Sequence, residues 1–195
     1  MTTALRREVA PASEPVSLAD VKAHCRIDHS DDDTYIAGLI AAAVAFVDAQ
    51  GELGRAMITQ TWAQYESQAP GRVRLDMGPF IELVSVKFFD AAGSLQTATL
   101  ADFEIRLHGD FVICKPKEDR EWPTADTRED AIKITYTAGY GAASDVPAGI
   151  KHALLMLIGH WYENREAVVI GTITATTPMA FAVLIGNERV GWYGS

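Results

Sequence analysis

The chain has 195 residues and a net charge of −9, with 48% hydrophobic and 22% charged residues. These proportions are typical of a globular protein, and the acidic balance argues against a large basic surface that would bind nucleic-acid phosphates. The longest apolar runs fall short of the roughly 20 residues that a membrane-spanning helix needs. Cys25 and Cys114 match no zinc or redox spacing, so each is expected to be a small buried hydrophobe, with a disulfide left open. We therefore expect a soluble, folded protein of one domain, with no membrane partner.

The N-terminal part is predicted to be a flexible arm followed by two helices. Residues 1–15 contain two arginines but no apolar run behind them, so they form no secretory signal and are expected to be flexible. Ser17 can cap a first helix. Ser30 or Asp31 can cap a second one, and the neighbouring aspartates complement the positive end of its dipole. Both helices are expected within residues 17–51, with a glycine as the stop.

A β-rich insertion is predicted between residues 57 and 138. Apolar and polar residues alternate with period two, most clearly over residues 132–137, and turns rich in glycine and proline separate the runs. This pattern indicates a mostly antiparallel sheet. The charged segment 115–130 is expected to be an exposed loop, with Trp122 folded back as an anchor.

The longest predicted helix spans residues 147–168, with Pro147 tolerated in its first turn. It is apolar on two faces, so a neighbouring subunit is expected to cover one of them. The C-terminal tail, residues 171–195, begins polar, continues with a short amphipathic segment and ends on Trp192 and Tyr193. Because aromatic side chains are favoured anchors at interfaces, the tail is expected to dock on a partner.

Two local patterns raise the question of chemistry. The corner around Gly139 and Gly141 begins like a dinucleotide-binding fingerprint, but Ser144 stands where the third glycine belongs and the preceding strand is antiparallel. Residues 24–33 gather two histidines, a cysteine and four aspartates, yet their spacing matches no metal motif, and helix capping is the preferred interpretation. We therefore predict no enzymatic activity, no cofactor and no metal.

Four motifs follow one another in a recognisable order. They are "LADVKAHCRIDHSDDDTYIAGLIAAAVAFVDAQ", "ITQTW", a β region that closes on "EWP" and "IKITYTAGYG", and "VPAGIKHALLMLIGHWYENRE". In this order the chain resembles the head-tail connector (adaptor) family of tailed phages and phage-derived gene transfer agents, over residues 16–168. The resemblance implies an α+β fold, in which a helical core carries an inserted β region within a connector domain, residues 16–170, before the extended C-terminal tail.

The resemblance also implies a structural role in a virion or phage-like particle that assembles in the bacterial host cytoplasm. The protein would form a dodecameric ring under the portal, extend the DNA channel and receive the next neck or tail protein, such as a stopper or head-closure protein. DNA would pass through without specific binding. The candidate contact residues are Trp161, Tyr162, Arg165, Phe181, Leu184, Trp192 and Tyr193. Two alternatives stay open: a small metal-dependent enzyme that uses the cluster from His24 to Asp33, and an oligomeric binding module unrelated to virions.

Overall fold

The computed structural model describes residues 2–67, 71–108, 111–165 and 179–189. These residues fall into two compact units, a β unit and a helical unit. The β unit combines the first residues, up to Pro11, with Thr59–Gly139, and the helical unit combines residues from Ala12 to Ile58 with those after Gly139. The predicted fold class, α+β with a helical core and an inserted, mostly antiparallel β region, is confirmed.

The β unit contains two antiparallel sheets. The larger has the strand order β1-β2-β8-β4-β5, and the smaller has the order β3-β7-β6. The strands are β1 (Thr2–Val9), β2 (Gln60–Glu66), β3 (Val73–Leu75), β4 (Phe80–Phe89), β5 (Leu95–Thr97), β6 (Phe103–His108), β7 (Phe111–Pro116) and β8 (Ile132–Ala138).

The centre of the larger sheet is formed by β2 and β8, which lie side by side with Trp62 opposite Tyr136. Both side chains are buried, and for Tyr136 this agrees with the period-two pattern of β8. Tyr136 also takes part in a buried polar network. Its hydroxyl accepts a hydrogen bond from the N–H of Met77 at 3.0 Å, and Gln64 Nε2 donates to the carbonyl of Arg74 at 2.7 Å. The network joins the two sheets, because Arg74 lies on β3 and Gln64 on β2.

The N-terminal arm was predicted to be flexible, and for residues 2–9 this prediction is wrong. They form β1, which pairs antiparallel with β2 and places Leu5 opposite Gln64. From Ala4 to Val9 every side chain is exposed or only partly buried. Backbone hydrogen bonds to β2, rather than burial of apolar side chains, therefore hold this strand, and a hydrophobic pattern could not reveal it.

The loop between β7 and β8 carries Trp122, which was predicted to fold back as an anchor. Its ring packs against Phe103 with the centroids 5.0 Å apart, and its Nε1 donates to the carbonyl of Gly71 at 3.2 Å. The prediction of an anchored tryptophan in a charged, exposed loop is confirmed.

The helical unit consists of α1 (Leu18–Cys25), α2 (Asp33–Val47), α3 (Ala148–Glu163) and α4 (Met179–Glu188). Ser17 caps α1 as predicted: its Oγ accepts the N–H of Asp20 at 3.1 Å, and the Asp20 carboxylate accepts the N–H of Ser17 at 2.8 Å. The caps proposed for α2 were wrong, since Asp32 occupies the N-cap position and makes no side-chain cap bond. The helix also ends at Val47, before the glycine that was expected to stop it.

Helix α3 lies at the centre of the helical unit and packs against α1, α2 and α4. A neighbouring subunit was expected to cover one of its two apolar faces. Ile150, Leu154 and Leu157 are buried on one face, whereas on the other Ile158 is buried and Leu155, Met156 and Tyr162 are only partly buried. Coverage of this second face by a neighbouring subunit therefore stays a prediction.

The corner before α3 owes its glycines to backbone geometry. Gly141 has φ +124°, and a Cβ there would lie 2.6 Å from Oδ2 of Asp145. That carboxylate accepts the N–H of Ala142 at 2.9 Å and so closes the turn. Pro147 then occupies the N-cap position of α3.

None of the helices described is long and apolar enough to cross a membrane.

Candidate interface at the end of helix α3

The last turn of α3 and the residues after it meet the start of α2. The hydroxyl of Tyr162 donates to Oδ2 of Asp32 at 2.6 Å, and Nη2 of Arg165 donates to the same oxygen at 3.1 Å. The guanidinium of Arg165 also lies over two aromatic rings, 4.6 Å from the centroid of Tyr35 and 5.4 Å from that of Tyr162. Four side chains from two helix ends thus hold one another in place.

The charges in this network reinforce one another. The hydrogen bond from Tyr162 and then the bond and charge of Arg165 lower the pKa of the Asp32 carboxyl from its usual value. The same hydrogen bond to Asp32 raises the pKa of the Tyr162 hydroxyl. The carboxylate is therefore ionised and the phenol neutral at pH 7, which is the state in which donors and acceptor match.

An aromatic cluster joins α2, α3 and α4. The ring of Phe46, near the end of α2, is 6.2 Å from Trp161 and 6.3 Å from Phe181, measured between centroids. These distances fall in the range in which aromatic pairs contribute beyond their buried area. Phe46 is nevertheless 41% exposed, so the cluster reaches the surface of the helical unit.

Helix α4 has one buried face and one solvent-exposed face. Phe181 and Ile185 are each 3% exposed and pack on the helical core, with Leu184 partly buried beside them. Met179 and Val183, which are one helical turn apart, are 85% and 61% exposed. We call the exposed apolar side chains of Met179 and Val183 the α4 patch.

The structure brings together five of the seven predicted contact residues. Trp161, Tyr162, Phe181 and Leu184 all pack against the helical core, and Arg165 binds Asp32. Every contact that the structure gives them is within the subunit, so a role in partner binding stays a prediction. Trp192 and Tyr193 lie outside the described residues.

Sequence reasoning missed Asp32 and the α4 patch. Asp32 was treated as part of an acidic helix start, although its binding partners are 130 and 133 residues away in the chain. The patch had a weak signal, because Met179 and Val183 share the i, i+4 spacing of one helix face.

The side chains between His24 and Asp33 take part in separate contacts. Asp33 accepts a hydrogen bond from Nζ of Lys22 at 2.7 Å, and Asp32 is engaged by the network at the end of α3. The ring of His24 stands edge-on to His152 with centroids 5.9 Å apart. Within the described part of the chain, no three His, Cys, Asp or Glu side chains are grouped so that they could hold a metal ion.

Several solved structures contain chains with a similar fold. Among solved structures, a chain from the neck of an empty gene transfer agent (GTA) particle, computed with C6 symmetry, has a TM-score of 0.77 at 19% identity. A chain from the virion of a native GTA particle gives 0.71 at 20%, and one from the neck of a native GTA particle, computed with C12 symmetry, gives 0.70 at 18%. In all three cases 98% of each chain is covered. At these identities the similarity concerns the fold.

A search of curated protein sequences finds no match. The model of the head completion protein family, in contrast, matches residues 14–181. This range includes all four helices in whole or in part and both sheets except β1. The chain belongs to the head completion protein family.

Proposed function

We propose that this head completion protein is a structural connector that joins the head of a phage or phage-like particle to its neck or tail. The match of the family over residues 14–181 is the observation that carries the proposal. The fold that the chain shares with GTA neck chains along almost its whole length supports it. The protein would act in the particle, after assembly in the bacterial host cytoplasm, and would carry out no catalysis.

The connector would be a ring of twelve copies beneath the portal. Two of the similar neck chains come from particles computed with C6 and C12 symmetry, and both symmetries are compatible with twelve subunits around one axis. A closed ring needs a heterologous contact, in which one surface of a subunit meets a different surface of the next. The ring would extend the DNA channel. The net charge of −9 suits a channel through which DNA slides without specific binding.

The α4 patch is our candidate for the contact with the portal. Exposed apolar side chains that lie together on one surface are typical of sites that bind another protein. The half-buried Trp161 lies next to Phe46, whose ring also packs against Phe181 of α4, and tryptophan is enriched among residues that dominate binding energy. Trp192 and Tyr193 follow α4 in the sequence, and we propose that they extend the same contact. The opposite side of the ring would receive the next neck or tail protein.

The mass of the purified protein, alone and mixed with its cognate portal ring, tests the proposal. We expect a complex with twelve copies per portal, whether or not the protein is monomeric on its own.

Replacing Met179 and Val183 together by aspartate should weaken portal binding at least about tenfold, because charges would be buried in an apolar contact. The matched control replaces Leu95 and Leu107, which are 54% and 77% exposed on the β unit, by aspartate. A strict monomer that ignores the portal would contradict the connector proposal, and equal binding by both double variants would contradict the role of the α4 patch.

A further inference from the structure

The larger sheet has an open edge on each side among the described strands. One edge is β1, whose strand partner is β2. At the other edge, β5 covers β4 only from Lys87 to Phe89, and the N–H of Ala98 donates to the carbonyl of Val86 at 2.9 Å. The stretch Phe80–Ser85 therefore has a described strand partner on the β8 side alone. Open strand edges are templates for pairing with another chain.

The side chains of the two edges suit each other. Leu5 on β1 and Leu83 on β4 are both apolar and partly exposed. Arg6 is exposed on β1, and Glu82 is exposed and is the single charged residue within Phe80–Ser85. Apolar and opposite charged side chains across a strand pair each stabilise a sheet. The two edges are thus complementary in character, as a heterologous contact requires.

Strand direction is also compatible with a joint between copies. β1 runs antiparallel to β2, β2 to β8, and β8 to β4, so β1 and β4 point in opposite directions. If a second copy continues the sheet in the same orientation, its β1 lies antiparallel to β4 of the first copy. The alternation of the sheet is then preserved across the joint. The open stretch of β4 has six residues and β1 has eight. Each contains a regular part, residues 82–83 on β4 and 4–7 on β1, between two irregular positions.

We infer that β1 of one subunit pairs with Phe80–Ser85 of β4 in the neighbouring copy and so joins their sheets into one. This inference rests on the proposed function, which supplies the neighbouring copies in a ring. An antiparallel register with Arg6 opposite Glu82 places Leu5 opposite Leu83, and these two residues of β4 lie between its two irregular positions. Backbone hydrogen bonds supply the affinity of such a strand addition, and the facing side chains set its register.

A pair of engineered cysteines tests the joint directly. Within one chain β1 and β4 are three strand spacings apart, about 14 Å, whereas a disulfide needs Cα atoms within about 7 Å. A disulfide between Arg6→Cys and Glu82→Cys must therefore link two copies. Cys25→Ser provides the background, while Cys114 can stay, because burial raises the pKa of its thiol to about 12.

The rings are assembled on the cognate portal, oxidised and separated under denaturing, non-reducing conditions. We expect a ladder of multimers that reaches the full subunit number for Arg6→Cys with Glu82→Cys, or with Val84→Cys if the register is shifted by two residues. The matched control combines Arg6→Cys with Leu107→Cys, which is exposed on the smaller sheet, and should give no ladder. Electron microscopy of the unoxidised samples verifies that each variant forms rings.

The outcomes of this experiment distinguish failure of the strand joint from failure of the connector proposal. Rings that form but give no ladder with either pair overturn the strand joint and leave the connector proposal intact. A cross-link from Arg6→Cys to a protein of different mass assigns the β1 edge to another partner and also overturns the inference. If no variant and no wild-type protein assembles on the portal, the connector proposal itself fails, and the inference fails with it.

Discussion

Replacing Phe181 by alanine is expected to release α4 from the helical core. The side chain is 3% exposed and lies against the ring of Phe46. Truncating a buried phenylalanine costs about 3–5 kcal/mol, of which the aromatic pair accounts for about 0.5–1.5 kcal/mol. Only one other side chain of α4, Ile185, is fully buried. The loss should therefore appear first as local opening of α4, while the rest of the unit stays folded.

Hydrogen exchange of the α4 amides measures this opening. Since 1.36 kcal/mol corresponds to a factor of ten, a loss of about 3 kcal/mol should lower the protection of these amides by about 100-fold or more. Val183→Ala is the control on the same helix, because its side chain is 61% exposed and such changes usually stay within about 0.5 kcal/mol. Equal exchange in the two variants, or an unprotected α4 in the wild type, would refute the packing described here. It would mean that the helix docks only on a partner.

Three further predictions concern stability. Tyr136→Phe leaves the buried N–H of Met77 without its acceptor and should lower the free energy of unfolding in urea by about 1–3 kcal/mol; a change below about 0.3 kcal/mol would contradict the role of the network. Ser17→Ala removes the N-cap of α1 and should cost about 1 kcal/mol in the same assay, whereas Ser17→Gly should cost only a few tenths. Because Tyr162 lowers the pKa of Asp32, the stabilisation by this carboxylate is present above the unfolded pKa of about 4 and is lost as the pH falls through the lower folded value. Asp32→Asn should accordingly be less stable than wild type at pH 7, and the difference should shrink towards pH 3; a constant difference would disprove the linkage.

The family could be recognised from the sequence because its signals are local. The capped start of α1, the alternating residues of β8 and the proline before α3 each depend on neighbours a few residues away, and all of them lie within residues 14–181, which the family model matches. The connector resemblance rested on that order. The fold class followed from the same motifs, since a change from helical to period-two spacing marks where the β insertion begins.

The remaining features depend on residues that are far apart in the chain. β1 carries no buried stripe and exists because β2 offers it a backbone edge. The second apolar face of α3 gives the same sequence pattern whether another helix of the chain or a neighbouring subunit covers it. Asp32 was one of several aspartates at a helix start until Tyr162 and Arg165 were placed beside it.

Apart from β1 and the ends of α2, the sequence by itself thus determined the main helical and strand segments and the family, since spacing and capping are properties of short segments. Only the tertiary structure decided which surfaces are left open. An exposed face or an unpaired edge is defined by what the rest of the chain fails to cover, and no local pattern contains that information. For this protein those surfaces, the α4 patch and the two edges of the larger sheet, are where we expect assembly to take place.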